Sequence, residues 1–271
     1  MANGEWALII FSILTQCAVG IWVVAIGLRT FTKRAEPNII AQLTWRSLLV
    51  VGPLMCIALV ISIFHLGSPM QAYASVANLL TSWLSREIVF SGLFLFFWVI
   101  SILVYRRGAS SMTLGWVTSF FGLIAVFSMS SIYYTTPISA WASPNTYISF
   151  FATMIILGSL ACTMFMDTIK DFTAHQGVRT LLWRLSLFTM GVLLVQGVFF
   201  IVSSEVYSFF PVLYCTFLFI GGITFLVYGF QGHKNPGKGL RPVFYLSLVL
   251  LFSAQILGRY LFYSSAASIM S

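Results

Sequence analysis

Three ionisable side chains stand out in a sequence that carries few charges. His65 closes the apolar run Val60–Phe64, Glu87 sits in Ser85-Arg86-Glu87 at the start of another run, and Arg259 lies inside a third. Their types suit proton transfer. An imidazole takes or gives a proton near neutral pH, a carboxylate can relay that proton, and a guanidinium stays charged and stabilises an anion. Each also has a plainer reading. His65 can cap a helix C-terminus, Glu87 can cap or offset the dipole of a helix N-terminus, and Arg259 can snorkel to lipid phosphates. Arg86 reads as a snorkelling or loop arginine and Glu205 as a solvated loop acid. It is the joint placement that favours chemistry, because ionisable groups in a membrane are costly and face a cavity or a partner.

The elements that must position them follow from composition. Of the 271 residues, 59% are hydrophobic and only 7% are charged, against about 25% charged in a soluble domain. The solvent is therefore a bilayer. In lipid each backbone polar group needs an internal partner, which leaves helices or closed barrels, and long continuous apolar runs exclude the alternating pattern of a barrel. Eight stretches reach the length of about 20 residues that a span requires. They run roughly Trp6–Leu28, Ser47–Phe64, Ile88–Tyr105, Leu114–Tyr133, Thr146–Met166, Leu185–Val202, Pro211–Phe230 and Pro242–Tyr263. The fold class is thus an all-α integral membrane protein of eight transmembrane helices, forming one polytopic domain over residues 1–271.

Charge sets the expected orientation. Arg29, Lys33, Arg34 and Arg46 fall in the first connection, Arg106 and Arg107 in the third, Lys170, Arg179 and Arg184 in the fifth, and Lys234, Lys238 and Arg241 in the seventh. Only Arg86 and Arg259 lie elsewhere. By the positive-inside rule the basic face is cytoplasmic, so both termini are expected outside, in the periplasm. The N-terminus has no basic n-region or A-x-A site, and so reads as a retained helix rather than a secretory signal. The formal charge of +8 is then a topology signal that suits anionic lipid heads, not a nucleic-acid patch. His65, Arg86, Glu87, Glu205 and Arg259 all come to the outer level. Between His65 and Glu87, the Gly67–Ser85 segment is mostly apolar and opens on Ser68-Pro69, an N-cap with Pro at the first helical position. A short interfacial helix is expected there, roofing a pocket between spans 2 and 3.

Other features narrow the field. Cys17, Cys56, Cys162 and Cys215 lie in apolar runs without a CxxC pair and read as small hydrophobes. Of three histidines, His175 and His233 fall in basic-face connections, so paired axial haem ligands are not available; an iron–sulfur cysteine set is also missing. Gln16 and Gln196 read as polar glue between helices, and Gly52-Pro53 as a kink in span 2. No acid lies mid-span, which argues against a proton path across the bilayer.

The runs "HLGSPMQA" at His65–Ala72, "LSREI" at Leu84–Ile88 and "GRYLFY" at Gly258–Tyr263 resemble the membrane-anchor subunit (DmsC) family of anaerobic dimethyl sulfoxide reductase. "QC" at Gln16-Cys17 and "QG" at Gln196-Gly197 are similar to that family's first and sixth helices. Loop 4 and the C-terminal tail are short here. The resemblance implies an inner-membrane protein of anaerobic respiration without haem. Such an anchor holds a molybdenum-cofactor catalytic subunit and an iron–sulfur electron-transfer subunit, oxidises menaquinol, and passes its electrons to the iron–sulfur subunit. It implies that His65 is the quinol-site histidine and Glu87 an acid near it. On that footing Gly67 and Pro69 shape the turn, and Arg259 either stabilises the quinolate or partners Glu87. The rival readings are a secondary transporter or channel, and an anchor for a reductase of another acceptor.

Overall fold

The computed structural model of the protein describes residues 5–32, 37–65, 78–169, 174–203, 208–234 and 240–270, with the side chains of residues 5, 63–65 and 266–270 outside that description. The described residues form eight α-helices: α1 (Glu5–Thr32), α2 (Pro37–His65), α3 (Trp83–Arg106), α4 (Met112–Tyr134), α5 (Pro144–Asp167), α6 (Gln176–Ser203), α7 (Phe209–Lys234) and α8 (Arg241–Met270). All eight are long and apolar enough to cross a membrane. Helices are what lipid demands, since each then satisfies its backbone within itself.

The helices outrun the apolar cores read from sequence. The extension matters most at α3, which starts at Trp83 rather than Ile88. Its cap is Ser82, whose hydroxyl accepts from the Ser85 N–H at 3.4 Å. The Arg86 guanidinium donates to the carbonyls of Leu79 (3.0 Å) and Leu80 (2.6 Å) and stacks 4.1 Å from the Trp83 ring centroid. Arg86 therefore ties down the turn ahead of α3 instead of snorkelling. Glu87 lies beyond the first turn and is not the cap, which corrects that reading. Of the segment expected to form an interfacial helix, residues 66–77 lie outside the described residues. Residues 78–81 form a turn.

α1 and α5 are the inner helices. In their most apolar windows 72% and 67% of residues are buried, against 17–44% for the other six. α1 packs on α2, α4, α5, α6 and α8. It crosses α5 where Gly20 meets Gly158. A Cβ on Gly20 would overlap the Met154 carbonyl, and one on Gly158 would overlap the carbonyl of Gly20. Small residues at such crossings let membrane helices approach at backbone distance. The Cys162 thiol donates to the Ile21 carbonyl at 3.5 Å beside this contact.

Polar side chains fasten the rest. The Trp22 indole N–H donates to the Gly115 carbonyl (3.0 Å), joining α1 to α4, and that of Trp98 to the Leu48 carbonyl (2.9 Å), joining α3 to α2. Gly52 leaves the space that the Trp98 ring fills, and α2 continues through Pro53. Gln255 of α8 accepts from Thr153 of α5 at 2.7 Å and from Gln196 of α6 at 3.2 Å, so Gln196 joins helices as expected. At the basic face Arg241 pairs with Asp167 at 3.0 Å. Arg46 donates to the Phe165 carbonyl at 2.6 Å and to the Thr168 hydroxyl.

Gly158→Val should destabilise the protein by about 1–3 kcal/mol or more, because the backbone contact cannot yield to a branched side chain. Gly191→Ala, where an added Cβ meets open space, should be neutral or stabilising by up to about 1 kcal/mol. Thermal unfolding of the detergent-solubilised protein measures both, and equal behaviour of the two variants would contradict the crossing.

Candidate functional site

Glu87 enters the bundle on the inner face of α3. Glu87, Ser91 and Phe94 are all buried, at the i, i+4, i+7 spacing of one helical face. Phe94 packs on Gly122 of α4, which also touches Val19 of α1: a Cβ there would lie 2.9 Å from Phe94 and 2.8 Å from Val19. Seven residues from Phe94, about 10 Å along the axis, Glu87 is 4% exposed. Its Oε1 has no hydrogen-bond partner among the described residues.

Arg259 reaches the same level from α8. It is 2% exposed, so the plainer reading of a snorkelling arginine does not hold. One Nη2 donor meets Gln16 Oε1 of α1 at 2.8 Å. The Gln16 amide in turn donates to the Met129 Sδ of α4 at 3.6 Å. The guanidinium carbon lies 3.8 Å from the Phe150 ring centroid and 5.7 Å from that of Phe262. Its Nε and Nη1 have no hydrogen-bond partner among the described residues. The fit of the α1–α5 crossing explains the Gln16 contact, since Gln16 is one helical turn from Gly20.

Two phenols lie near both the acid and the cation. The Tyr263 hydroxyl donates to that of Tyr133 at 2.9 Å, and the Ser12 hydroxyl is also within hydrogen-bonding reach of Tyr263. Both phenols interact electrostatically with Glu87 and with Arg259. Among the described residues no ion pair joins Glu87 to Arg259 directly. An aromatic wall backs the pair: Trp141 stacks on Phe262 (5.4 Å between centroids) and donates its indole N–H to the Phe262 carbonyl at 2.7 Å. Tyr133 meets Trp141, Phe150, Phe262 and Tyr263 at 5.1–5.7 Å.

The arrangement thus holds a buried cation with two donor nitrogens, and a buried acid with one oxygen, unused among the described residues, in aromatic surroundings. Such groups can bind a flat, hydroxylated aromatic molecule and move its proton. His65 is the last residue of α2; its side chain, with Gly67, Pro69 and Glu205, lies outside the described residues. The structure brings Glu87 and Arg259 to one level. It adds Gln16, which in the sequence reads as helix glue and as part of the family-like "QC" pair, Tyr263, which enters there only as the last residue of "GRYLFY", and Tyr133, which carries no signal there. Tyrosines at span ends look like interfacial anchors, so only the packing distinguishes these two.

A family model described as "DMSO reductase anchor subunit (DmsC)" matches residues 1–264. The sequence is 29% identical over 170 residues to the YnfH chain of anaerobic dimethyl sulfoxide reductase from Escherichia coli (strain K12), covering 59% of this protein and 57% of that one. It is 32% identical over 163 residues to the C subunit of anaerobic dimethyl sulfoxide reductase from Haemophilus influenzae (57% and 56%), and 32% over 164 residues to the C subunit from E. coli K12 (58% and 55%). The matches therefore span just over half the length of these curated relatives. No solved structure matches.

Gln16→Leu removes the hydrogen bond that the Arg259 guanidinium donates. Leaving a buried charged donor unsatisfied costs about 1–3 kcal/mol, so the unfolding midpoint of the solubilised protein should fall. Gln16→Glu should retain the acceptor and unfold near the wild-type temperature. A Gln16→Leu variant as stable as wild type would show that this contact is not made.

Proposed function

The chain belongs to the DMSO reductase anchor subunit family, as a multi-pass protein of the bacterial inner membrane, and on that premise we propose that it oxidises menaquinol at the Glu87–Arg259 level and hands the electrons to an iron–sulfur subunit. It anchors that subunit and a molybdenum-cofactor catalytic subunit on the outer face. The single observation that carries the reading is the pair of unsatisfied donors on a guanidinium buried beside aromatic rings. A buried cation of this kind favours a ligand that develops negative charge.

The proton balance defines the roles. A hydroquinone hydroxyl is phenol-like, with a pKa near 10, against about 6.5 for imidazole. Transfer to His65 is uphill by about 3–4 units, or about 4–5 kcal/mol. Arg259 stabilises the quinolate that results, and Glu87 stabilises the imidazolium and relays its proton outward. Removal of two electrons from the quinolate gives the quinone and releases the second proton. Both protons leave on the side where the electrons depart, so the protein moves no proton across the membrane. Gly67 and Pro69 shape the turn after His65. The chain itself binds no haem; the metal centres belong to its partner subunits.

The test is quinol-dependent reduction of dimethyl sulfoxide in membranes holding the assembled complex. His65→Ala should lower the rate by about 10²-fold or more, the contribution of a positioned proton acceptor. Arg259→Lys keeps the charge but loses the planar fork, and should slow turnover at least about tenfold. Assembled complexes turning over at the wild-type rate would overturn the proposal, whereas a viologen-type donor that bypasses the anchor should give normal rates in every variant.

A further inference from the structure

An apolar groove of about 560 Å³ opens on the membrane-facing side of α1, α4, α5 and α6, away from the Glu87–Arg259 level. Val24, Gly27, Leu28, Phe151, Leu185 and Phe188 line it, and Arg184 stands in its wall. At Phe31, Leu181 and Arg184 it meets a second crevice, of about 380 Å³, that is lined by Thr32, Gln176 and Thr180 as well. The two together form a channel that is apolar along its length and polar at one end.

That polar end holds two groups with spare hydrogen-bonding capacity. Arg184 is exposed and contacts the crevice without donating to any of the described residues. Thr32 is only 5% exposed, and its hydroxyl has no partner among the described residues. The polar end is also the basic face, where Arg29, Arg106, Arg107 and Arg241 stand at helix ends and where anionic lipid heads concentrate by the positive-inside argument.

We propose that this channel is a binding site for one anionic phospholipid of the inner leaflet. An acyl chain fills the groove, the phosphate sits on the Arg184 guanidinium, and the Thr32 hydroxyl donates to a phosphate or glycerol oxygen. Charge decides the occupant: an apolar tail joined to an anion matches an apolar groove ending in a cation that donates to none of the described residues.

The full-length protein in mixed micelles tests this through thermal unfolding against added phosphatidylglycerol and phosphatidylcholine. The wild type should reach half of its lipid stabilisation at about fivefold less phosphatidylglycerol than phosphatidylcholine, the preference that one interfacial arginine supplies. Arg184→Gln should abolish the preference and leave the response to phosphatidylcholine. Gly27→Leu, where an added side chain enters open space, should remove the response to both lipids by occupying the groove. Arg107→Gln, at the same face but off the channel, should behave as wild type. The proposal is overturned if Arg184→Gln keeps the preference, if Gly27→Leu keeps the response, or if inorganic phosphate or a menaquinone analogue reproduces the stabilisation.

Discussion

The backbone contact of Gly20 with Gly158 sets the geometry of the whole bundle. Van der Waals packing, not hydrophobic exclusion, holds helices together in lipid, and it strengthens as backbones approach. Because neither glycine carries a side chain at the crossing, α1 lies against α5 and still packs on α2, α4, α6 and α8. One turn toward the opposite face, Gln16 then comes within 2.8 Å of Arg259 on α8. The Trp22–Gly115 hydrogen bond fixes the rotation of α1 against α4, and with it the side of α1 that meets Met129.

The buried charges are the costly part of this architecture. A charged residue at the centre of a membrane helix costs about 2.5–3.5 kcal/mol on insertion scales. A neutral amide acceptor and the face of Phe150 offset part of that for Arg259. Among the described residues they leave Nε and Nη1 without a partner, while Glu87 keeps one oxygen unbonded. At the basic face the protein does the reverse, pairing Asp167 with Arg241 and satisfying Arg46 on two carbonyls and a hydroxyl. The contrast between a satisfied structural cluster and an unsatisfied one at the other end is the physical reason to place chemistry at Arg259.

Much of this is legible in the sequence because the bilayer allows few choices. Apolar runs of about 20 residues must be helices, so all eight spans fall where hydropathy puts them, and the motifs around His65, Glu87 and Arg259 point to the family that residues 1–264 match. Glu87 and Arg259 are legible as charges in apolar runs. Their environment is not. Gln16 and Arg259 are 243 residues apart, and which helices neighbour one another is not encoded in hydropathy. The start of α3 is hidden because Ser85, Arg86 and Glu87 interrupt the apolar run and assign Trp83 and Leu84 to the interfacial segment before it, whereas Ser82 caps a helix that already includes them. Tyr133 carries no local signal, and Tyr263 shows only as the end of the "GRYLFY" run, since interfacial tyrosines have the same sequence positions.

The most direct measurement is an experimental density map of the assembled complex with a bound menaquinone analogue. The account predicts the naphthoquinone ring between the end of α2 and the Phe150–Phe262 wall, with one oxygen within hydrogen-bonding distance of an unused Arg259 nitrogen and the other facing His65. A ring bound elsewhere, with Arg259 and Glu87 unchanged and out of its reach, would contradict it.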